Sequence, residues 1–385
     1  MDSFPVQQET PEKKFLKERF REYYLKNLEP PPDITKREFG FGFEKKIDYR
    51  HKSFRSFQEF SEFVSREVPF FISYSCARYE FPSLRPMDRK GYLGSDLAFD
   101  LDRTYLEEKH EHSPVLCNYC LNRIRQDAVN LIEEFLVSDF GFSREEIQIN
   151  YSGSKGFHIH LQSKPVQELS QEARKQILDY ISAAGLDVEK ILRREKTEEA
   201  GYILRGPTKH SEGWAKKLFD AAFKLVSSEN LEDFAKDGIG KVKALKIMDN
   251  REYVLKKMEE GNWDSLKGLE GVWNKLLKKT VQLREVEVDR QVTFDVARLI
   301  RLPNSIHGDT GLIAKKIPLS EISDFDPTRE AVAFDGNKMM AIVTDKEFRL
   351  EMLGQTTEIK PGKNKVPLPA GILLLCKKKA LLYPE

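Results

Sequence analysis

With 385 residues, the chain is long enough for a sizeable core, one large domain plus a smaller one. Charged residues make up 32% but balance to a net charge of +1, which excludes a polycation that grips nucleic acid through its whole-molecule field; any such binding must use local basic patches. No apolar stretch reaches bilayer length, and MDSFPVQQETPEKK lacks the apolar core of a secretory signal; four cysteines, two of them three residues apart, suit an intracellular protein with a metal site better than a disulfide scaffold.

In chain order, Phe15 to Leu28 reads as an amphipathic helix stopped by Pro30-Pro31-Pro32, and Arg37 to Phe41 as a short strand. Phe54 to Val68 reads as a helix with Phe57, Phe60, Phe63 and Val64 on one face. Phe70 to Tyr74 and Leu97 to Asp102 read as strands. In the second, alternation turns Leu97, Phe99 and Leu101 toward a core and projects Asp100 and Asp102 together from the other side. Adjacent carboxylates are costly without a cation between them, and their hard oxygens favour Mg²⁺ or Mn²⁺. Two solvated aspartates at a strand end are the plain alternative.

His110-Glu111-His112 followed by Cys117 and Cys120 offers two imidazoles and two thiolates, a closed tetrahedral set for a structural zinc ion on a knuckle at about 105–122. Exposed histidines and a free Cys pair are the alternative; Cys76 and Cys376 read as ordinary residues. Leu121 to Phe140 reads as a helix. Strands are expected at Ile147 to Tyr151 and Phe157 to Leu161, joined by Ser152-Gly153-Ser154-Lys155-Gly156. The glycines permit close backbone approach, the serines and amides suit phosphate oxygens, and Lys155 supplies charge. His158 and His160 share one strand face. The pattern is not that of a P-loop.

Gln171 to Ala184 reads as a helix, and Trp214 to about Leu283 as a polar, Lys-rich helical insert with breaks near Asp237-Gly238 and Gly261-Asn262. Asp237 to Ala244 superficially fits a helix-hairpin-helix turn, with a simple helix start the favoured reading. Strand character resumes at Val292 to Phe294. Asp295 is then a candidate third carboxylate, Arg298 and Arg301 bracket an apolar strand, and Pro303-Asn304-Ser305 turns the chain before His307. An Arg and a His beside a carboxylate–metal centre suit a phosphate clamp. The tail ends in Leu373-Leu374-Leu375 and a basic cluster that belongs either to the core or to a subunit interface. The expected organisation is a mixed α/β core, 1–200 and 289–385, around a helical insert at 201–288.

LAFDLD at 97–102, SGSKGFHIH at 152–160 and VTFDVARLIRLPNSIHGDTG at 292–311, with REFGF at 37–41, resemble the catalytic small subunit of archaeal and eukaryotic DNA primases, the archaeal form more closely. The resemblance implies a primase-type core of mixed β-sheets flanked by helices, with a zinc knuckle and a helical insert. It implies that Asp100, Asp102 and Asp295 hold two catalytic Mg²⁺ or Mn²⁺ ions. Ser152, Lys155, His158, Arg301 and His307 fall on triphosphate-binding positions, and Arg37 on a basic position near the nucleotide. His110 stands where the family's zinc knuckle more usually has Cys. The implied activity is de novo synthesis of short RNA primers, or also DNA, on single-stranded DNA from nucleoside triphosphates. The implied partner is an iron–sulfur-containing large subunit in a heterodimer, and the implied location is cytoplasmic, or nuclear in a eukaryote, with no membrane.

Three other readings stay open at this point. One is a repair-type primase-polymerase that extends primers or fills gaps. Another is a haloacid-dehalogenase-like phosphohydrolase, since Asp100-Leu-Asp-Arg-Thr104 fits D-x-D-x-T with Asp100 as nucleophile; it leaves the Ser152–His160 and Asp295–Gly311 stretches unexplained. The third is a non-catalytic nucleic-acid-binding module.

Overall fold

A computed structural model describes residues 9–102, 117–197 and 201–383. The chain is mixed α/β, with several small sheets among helices, and every strand pair among the described residues is antiparallel. Contacts divide it into two compact units: 1–132, 142–178 and 288–385 form the first, and 133–141 with 179–287 the second. The second unit therefore begins earlier than an insert drawn at 201. None of the described helices is long and apolar enough to cross a membrane.

Two four-stranded sheets build the first unit around the future site. One runs in the order Leu299–Arg301, Phe71–Ser75, Phe39–Gly42, Tyr49–Lys52. Its far face is sealed by an aromatic cluster in which the Phe39 ring lies 5.0 Å from Phe60 and 5.3 Å from Phe54. Phe60 and Val64 come from helix Phe57–Glu67, which starts where the Ser56 side chain accepts a hydrogen bond from the Glu59 amide at 3.2 Å. The other sheet runs Lys316–Ile317, Ile147–Tyr151, Phe157–Leu161, Leu97–Leu101. Near the C-terminus, Met339–Thr344 pairs with Gly362–Pro367 and Leu381–Leu382, and helix Leu368–Cys376 is buried along its whole length.

The second unit is mainly helical. Helices Gly213–Ser227, Leu231–Lys236, Lys241–Asp249, Arg251–Glu259 and Glu270–Arg284 surround a core in which the Trp263 and Trp273 rings meet edge to face at 5.5 Å. Both indole N–H groups are satisfied, Trp263 by the Pro207 carbonyl at 2.8 Å and Trp273 by the Trp263 carbonyl at 2.6 Å.

One expected element changes type. Val292 to Phe294, expected as a strand, belongs to helix Arg290–Phe294. The β-branched Val292 and Thr293 favour extended backbone. The Asp289 side chain overrides them by accepting from the Gln291 amide at 2.9 Å, an N-cap that starts the helical turn.

Candidate active site

A cleft of about 610 Å³ opens between the two sheets of the first unit. Asp100, Asp102, Ser152, Lys155, His158, Arg301 and His307 all line it. Strand pairing does most of the gathering. Leu97–Leu101 and Phe157–Leu161 run antiparallel with Asp100 opposite His158, so carboxylate and imidazole share one face. On the facing sheet Arg301 pairs with Ser73, which lines the same cleft.

The glycines of the Ser152–Gly156 loop answer to close approaches. A Cβ on Gly156 would come within 1.9 Å of the Leu101 carbonyl oxygen, and one on Gly153, which has a φ of +84°, within 2.7 Å of the His307 Cβ. Ser152 Oγ accepts from the Gly156 amide at 3.1 Å, and the Thr310 hydroxyl donates to the Gly153 carbonyl. The loop and the His307 turn are thereby locked together. Asn304, with a φ of +60°, makes that turn.

The electrostatics are unbalanced. Asp100 keeps 23% side-chain exposure, yet its Oδ1 is sealed from solvent and has no hydrogen-bond partner. His158 Nε2 approaches Oδ1 at 3.5 Å, too far for an effective hydrogen bond. Burial, then the charges of Asp102 and Asp289, push the Asp100 carboxyl up to about 7. Burial holds His158 and His307 well below the ordinary imidazole range, His160 and Arg301 adding to the effect at the former and Arg301 at the latter. Burial also brings Arg301 down to about 10, and its Nη1 is buried without a partner. Orphaned carboxylate oxygen, orphaned guanidinium nitrogen and neutral imidazoles facing one cleft suit metal cations bridged to phosphate.

Two expected residues lie elsewhere. Asp295 does not line the cleft: its Oδ1 accepts from the Ala297 amide at 3.0 Å and its Oδ2 lies 3.6 Å from Arg298 Nε. Asp289 does not line the cleft either, but it is the carboxylate outside the pair that acts on Asp100. Its amide donates to the Asp100 carbonyl at 2.8 Å, and its carboxylate is among the charges felt by Asp100. The helix at Arg290–Phe294 causes the exchange, because it puts its N-cap rather than its C-terminal end against the Asp100 strand. Spacing of a helix cap before Val292-Thr293-Phe294 was the available signal. Arg37 is wholly buried beneath the sheet, donating to Asp96 Oδ2 at 2.8 Å and to the Ser75, Cys76 and Pro32 carbonyls. The cleft also gains Lys46, Asp309, Lys377 and Lys378.

Cys117 precedes helix Asn118–Asn130, and Cys120 lies in its first turn. Burial, then a hydrogen bond that the Cys120 thiol donates to Cys117, push Cys120 up to about 11. His110 and His112 lie outside the described residues. Among the described residues no three His, Cys, Asp or Glu side chains are gathered as a metal cluster.

A cleft that joins strand-borne carboxylates to a Ser-Gly-Lys loop and an Arg–His clamp defines a nucleotidyl-transfer type of site. Residues 99–318 match the family model of the DNA primase small subunit. The DNA primase small subunit PriS of Methanothrix thermoacetophila is 34% identical, the match covering 94% of this chain and 97% of that protein. PriS of Thermoplasma volcanium is 32% identical over 95% and 96%, and PriS of Methanosarcina acetivorans 31% over 94% and 95%. Among solved structures, the polymerase domain of Mycobacterium tuberculosis Ligase D in complex with DNA covers 82% of this chain at 12% identity with a TM-score of 0.36, a likeness too slight to specify fold or function. The chain belongs to the DNA primase small subunit family, in its archaeal type, and is accordingly a primase nucleotidyltransferase.

Proposed function

We propose that the chain is the catalytic subunit of a DNA-dependent primase that makes short RNA primers, or also DNA, de novo on a single-stranded DNA template. The convergence of Asp100 and Asp102 with Ser152, Lys155, His158, Arg301 and His307 in one cleft carries this reading. Asp100 and Asp102, with Asp289 in place of Asp295, would hold two Mg²⁺ or Mn²⁺ ions; the sealed, unpartnered Oδ1 of Asp100 fits such an occupant. When bound, the ions supply activation of the attacking 3′-hydroxyl and neutralisation of the departing pyrophosphate.

The chain's own groups do the rest. Arg301 and Lys155 offset the triphosphate charge, and the Ser152–Gly156 loop presents its hydroxyls and amides to phosphate oxygens. His158 and His307, held neutral by their burial in the cleft, donate hydrogen bonds and gain basicity when the anion arrives. Arg37 works at a distance, fixing Asp96 at the head of the Asp100 strand. A structural zinc ion on His110, His112, Cys117 and Cys120 is supported by the two thiols being in contact. The expected partner is the iron–sulfur-containing large subunit in a heterodimer.

The test is synthesis on unprimed single-stranded DNA with labelled nucleoside triphosphate and Mg²⁺ or Mn²⁺, beside an Asp100→Ala/Asp102→Ala control. Short oligomers absent from the control support the reading. Extension of a supplied primer without initiation indicates a repair-type polymerase or a missing initiation subunit. Silence in both reactions overturns it.

A further inference from the structure

The cleft contains three lysines to which no role has been given: Lys46, on the loop between Phe39–Gly42 and Tyr49–Lys52, and Lys377 and Lys378, just past helix Leu368–Cys376. None of the three forms an ion pair with a described residue, whereas surface lysines of the same unit such as Lys13, Lys17 and Lys316 do. Lysines left unpaired in a concave site are available to an anion.

Lys377 is the one the fold fixes most firmly. Its amide donates to the Leu373 carbonyl at 3.0 Å, that of Lys378 to Leu375 at 3.0 Å, and that of Lys379 to Leu374 at 2.9 Å. The Thr344 hydroxyl then holds the Lys379 carbonyl at 2.9 Å. The same helix packs on the His307 turn so closely that a Cβ on Gly311 would meet Ile372 Cγ2 at 2.6 Å. The position of Lys377 against His307 is therefore set by the core. Burial lowers the Lys377 ammonium from its ordinary range; Asp309 opposes this and Lys155 adds to it. The charges that Asp100 feels include Lys46 and Arg301; those that act on or from Lys377 involve Asp309, Lys155 and His307. Lys377 thus belongs to the phosphate end of the cleft rather than to the carboxylates.

We propose that Lys377 is a further nucleotide-contacting residue, binding the β- and γ-phosphates that depart as pyrophosphate. The inference rests on the nucleotidyl-transfer reading above. As the 3′-oxygen bonds to the α-phosphorus, the bond to the bridging oxygen breaks and its electron pair leaves with pyrophosphate. The Lys377 ammonium holds the two outer phosphates alike before and during that step and keeps its own proton. Burial and the Lys155 charge disfavour the Lys377 ammonium more than Asp309 favours it, and a polyanion that reaches both lysines reverses that balance.

The experiment compares the full chain with Lys377→Gln, Lys377→Arg and Lys379→Gln in extension of a primed single-stranded DNA with Mn²⁺, measuring kcat, KM for the nucleotide, and inhibition by inorganic pyrophosphate and by nucleoside monophosphate. Lys377→Gln should raise KM and weaken pyrophosphate inhibition about tenfold each, with kcat within about twofold, as expected for loss of one charge-assisted contact to the bound anion. Inhibition by the monophosphate, which lacks the outer phosphates, should not change. Lys377→Arg should restore most of the loss, and Lys379→Gln should match the parent chain. Unchanged constants in Lys377→Gln, equal weakening for monophosphate and pyrophosphate, or a loss that Arg does not rescue and a lowered Tm accompanies would each overturn the proposal. An inactive parent chain that pyrophosphate does not bind strikes the nucleotidyl-transfer reading itself; an active parent with an indifferent Lys377→Gln strikes only this inference.

Discussion

Asp96 and Asp100 stand four residues apart on the same stretch of chain, and the fold treats them oppositely. Asp96 is wholly buried and accepts from Arg37 at 2.8 Å and Arg78 at 2.6 Å. The equally buried Glu38 accepts from Lys90 at 2.8 Å and Arg50 at 2.7 Å. Burial pushes the Glu38 carboxyl up, but the hydrogen bonds from Arg50 and Lys90 outweigh it and hold it below the ordinary range. Asp100 receives no such partner, and its neighbours Asp102 and Asp289 carry the same charge. A buried acid matched by protein cations is framework. An acid whose sealed oxygen has no partner, and whose acidic neighbours outweigh the charges of Lys46 and Arg301, has its counter-charge outside the chain.

The largest effects should come from removing the unmatched group. Asp289→Asn, like Asp100→Asn, is expected to lower nucleotide transfer by at least roughly a thousandfold, the size of losing several kcal/mol of charge stabilisation on the reacting phosphate. Asp295→Asn should keep most activity, because its carboxylate is engaged with Arg298 and the Ala297 amide away from the cleft. Primer extension by the three variants side by side measures this. Full activity in Asp289→Asn with none in Asp295→Asn would return the third position to Asp295.

Breaking the matched group should act on stability instead. Asp96→Asn leaves Arg37 buried with its charge uncompensated, at an expected cost of about 3–5 kcal/mol in urea unfolding. Any activity loss should follow the loss of folded protein. An Asp96→Asn chain as stable as the parent would show that the Arg37 contacts to the Ser75, Cys76 and Pro32 carbonyls suffice by themselves.

Most of the cleft was legible because its groups announce themselves locally. Asp100 and Asp102 alternate with apolar residues, Ser152–Gly156 is a glycine loop between two short strands, and Arg301 and His307 flank a Pro-Asn turn. Both sheets take those residues from strands whose two-residue period is visible in the sequence. Asp289 was not legible for the reason that moved the third carboxylate. Val292-Thr293-Phe294 has strand propensity, so the eye places the acid at its end, Asp295; a side-chain cap and a hydrogen bond to Asp100 across almost two hundred residues decide for helix and for Asp289. Lys46 and Lys377 were out of reach for a similar reason, since only the packing of the buried C-terminal helix and of a distant loop brings them to one cleft. Arg37 shows the converse: its motif is plain in the sequence, but its burial and its Asp96 partner are not.

The smallest expected effect tests the unmatched carboxylate without any catalysis. With no cation bound, burial and the charges of Asp102 and Asp289 raise the Asp100 carboxyl from 3.8 to about 7. Folding therefore favours the protonated form, and the stability this confers is complete below about 4 and is lost as pH rises through about 7. Asp100→Asn keeps the shape of the neutral acid and cannot ionise. The variant and the parent should unfold at similar urea concentrations near pH 4.5, and the variant should become the more stable by about 1–3 kcal/mol at pH 8, the parent's Asp100 then being ionised against the charges of Asp102 and Asp289. Mn²⁺ should close that gap from the parent's side and leave the variant nearly unmoved, because a ligand stabilises only the state that binds it. A gap of constant size across this pH range would mean that Asp100 is already compensated from within the chain, and the contrast with Asp96 would fall with it.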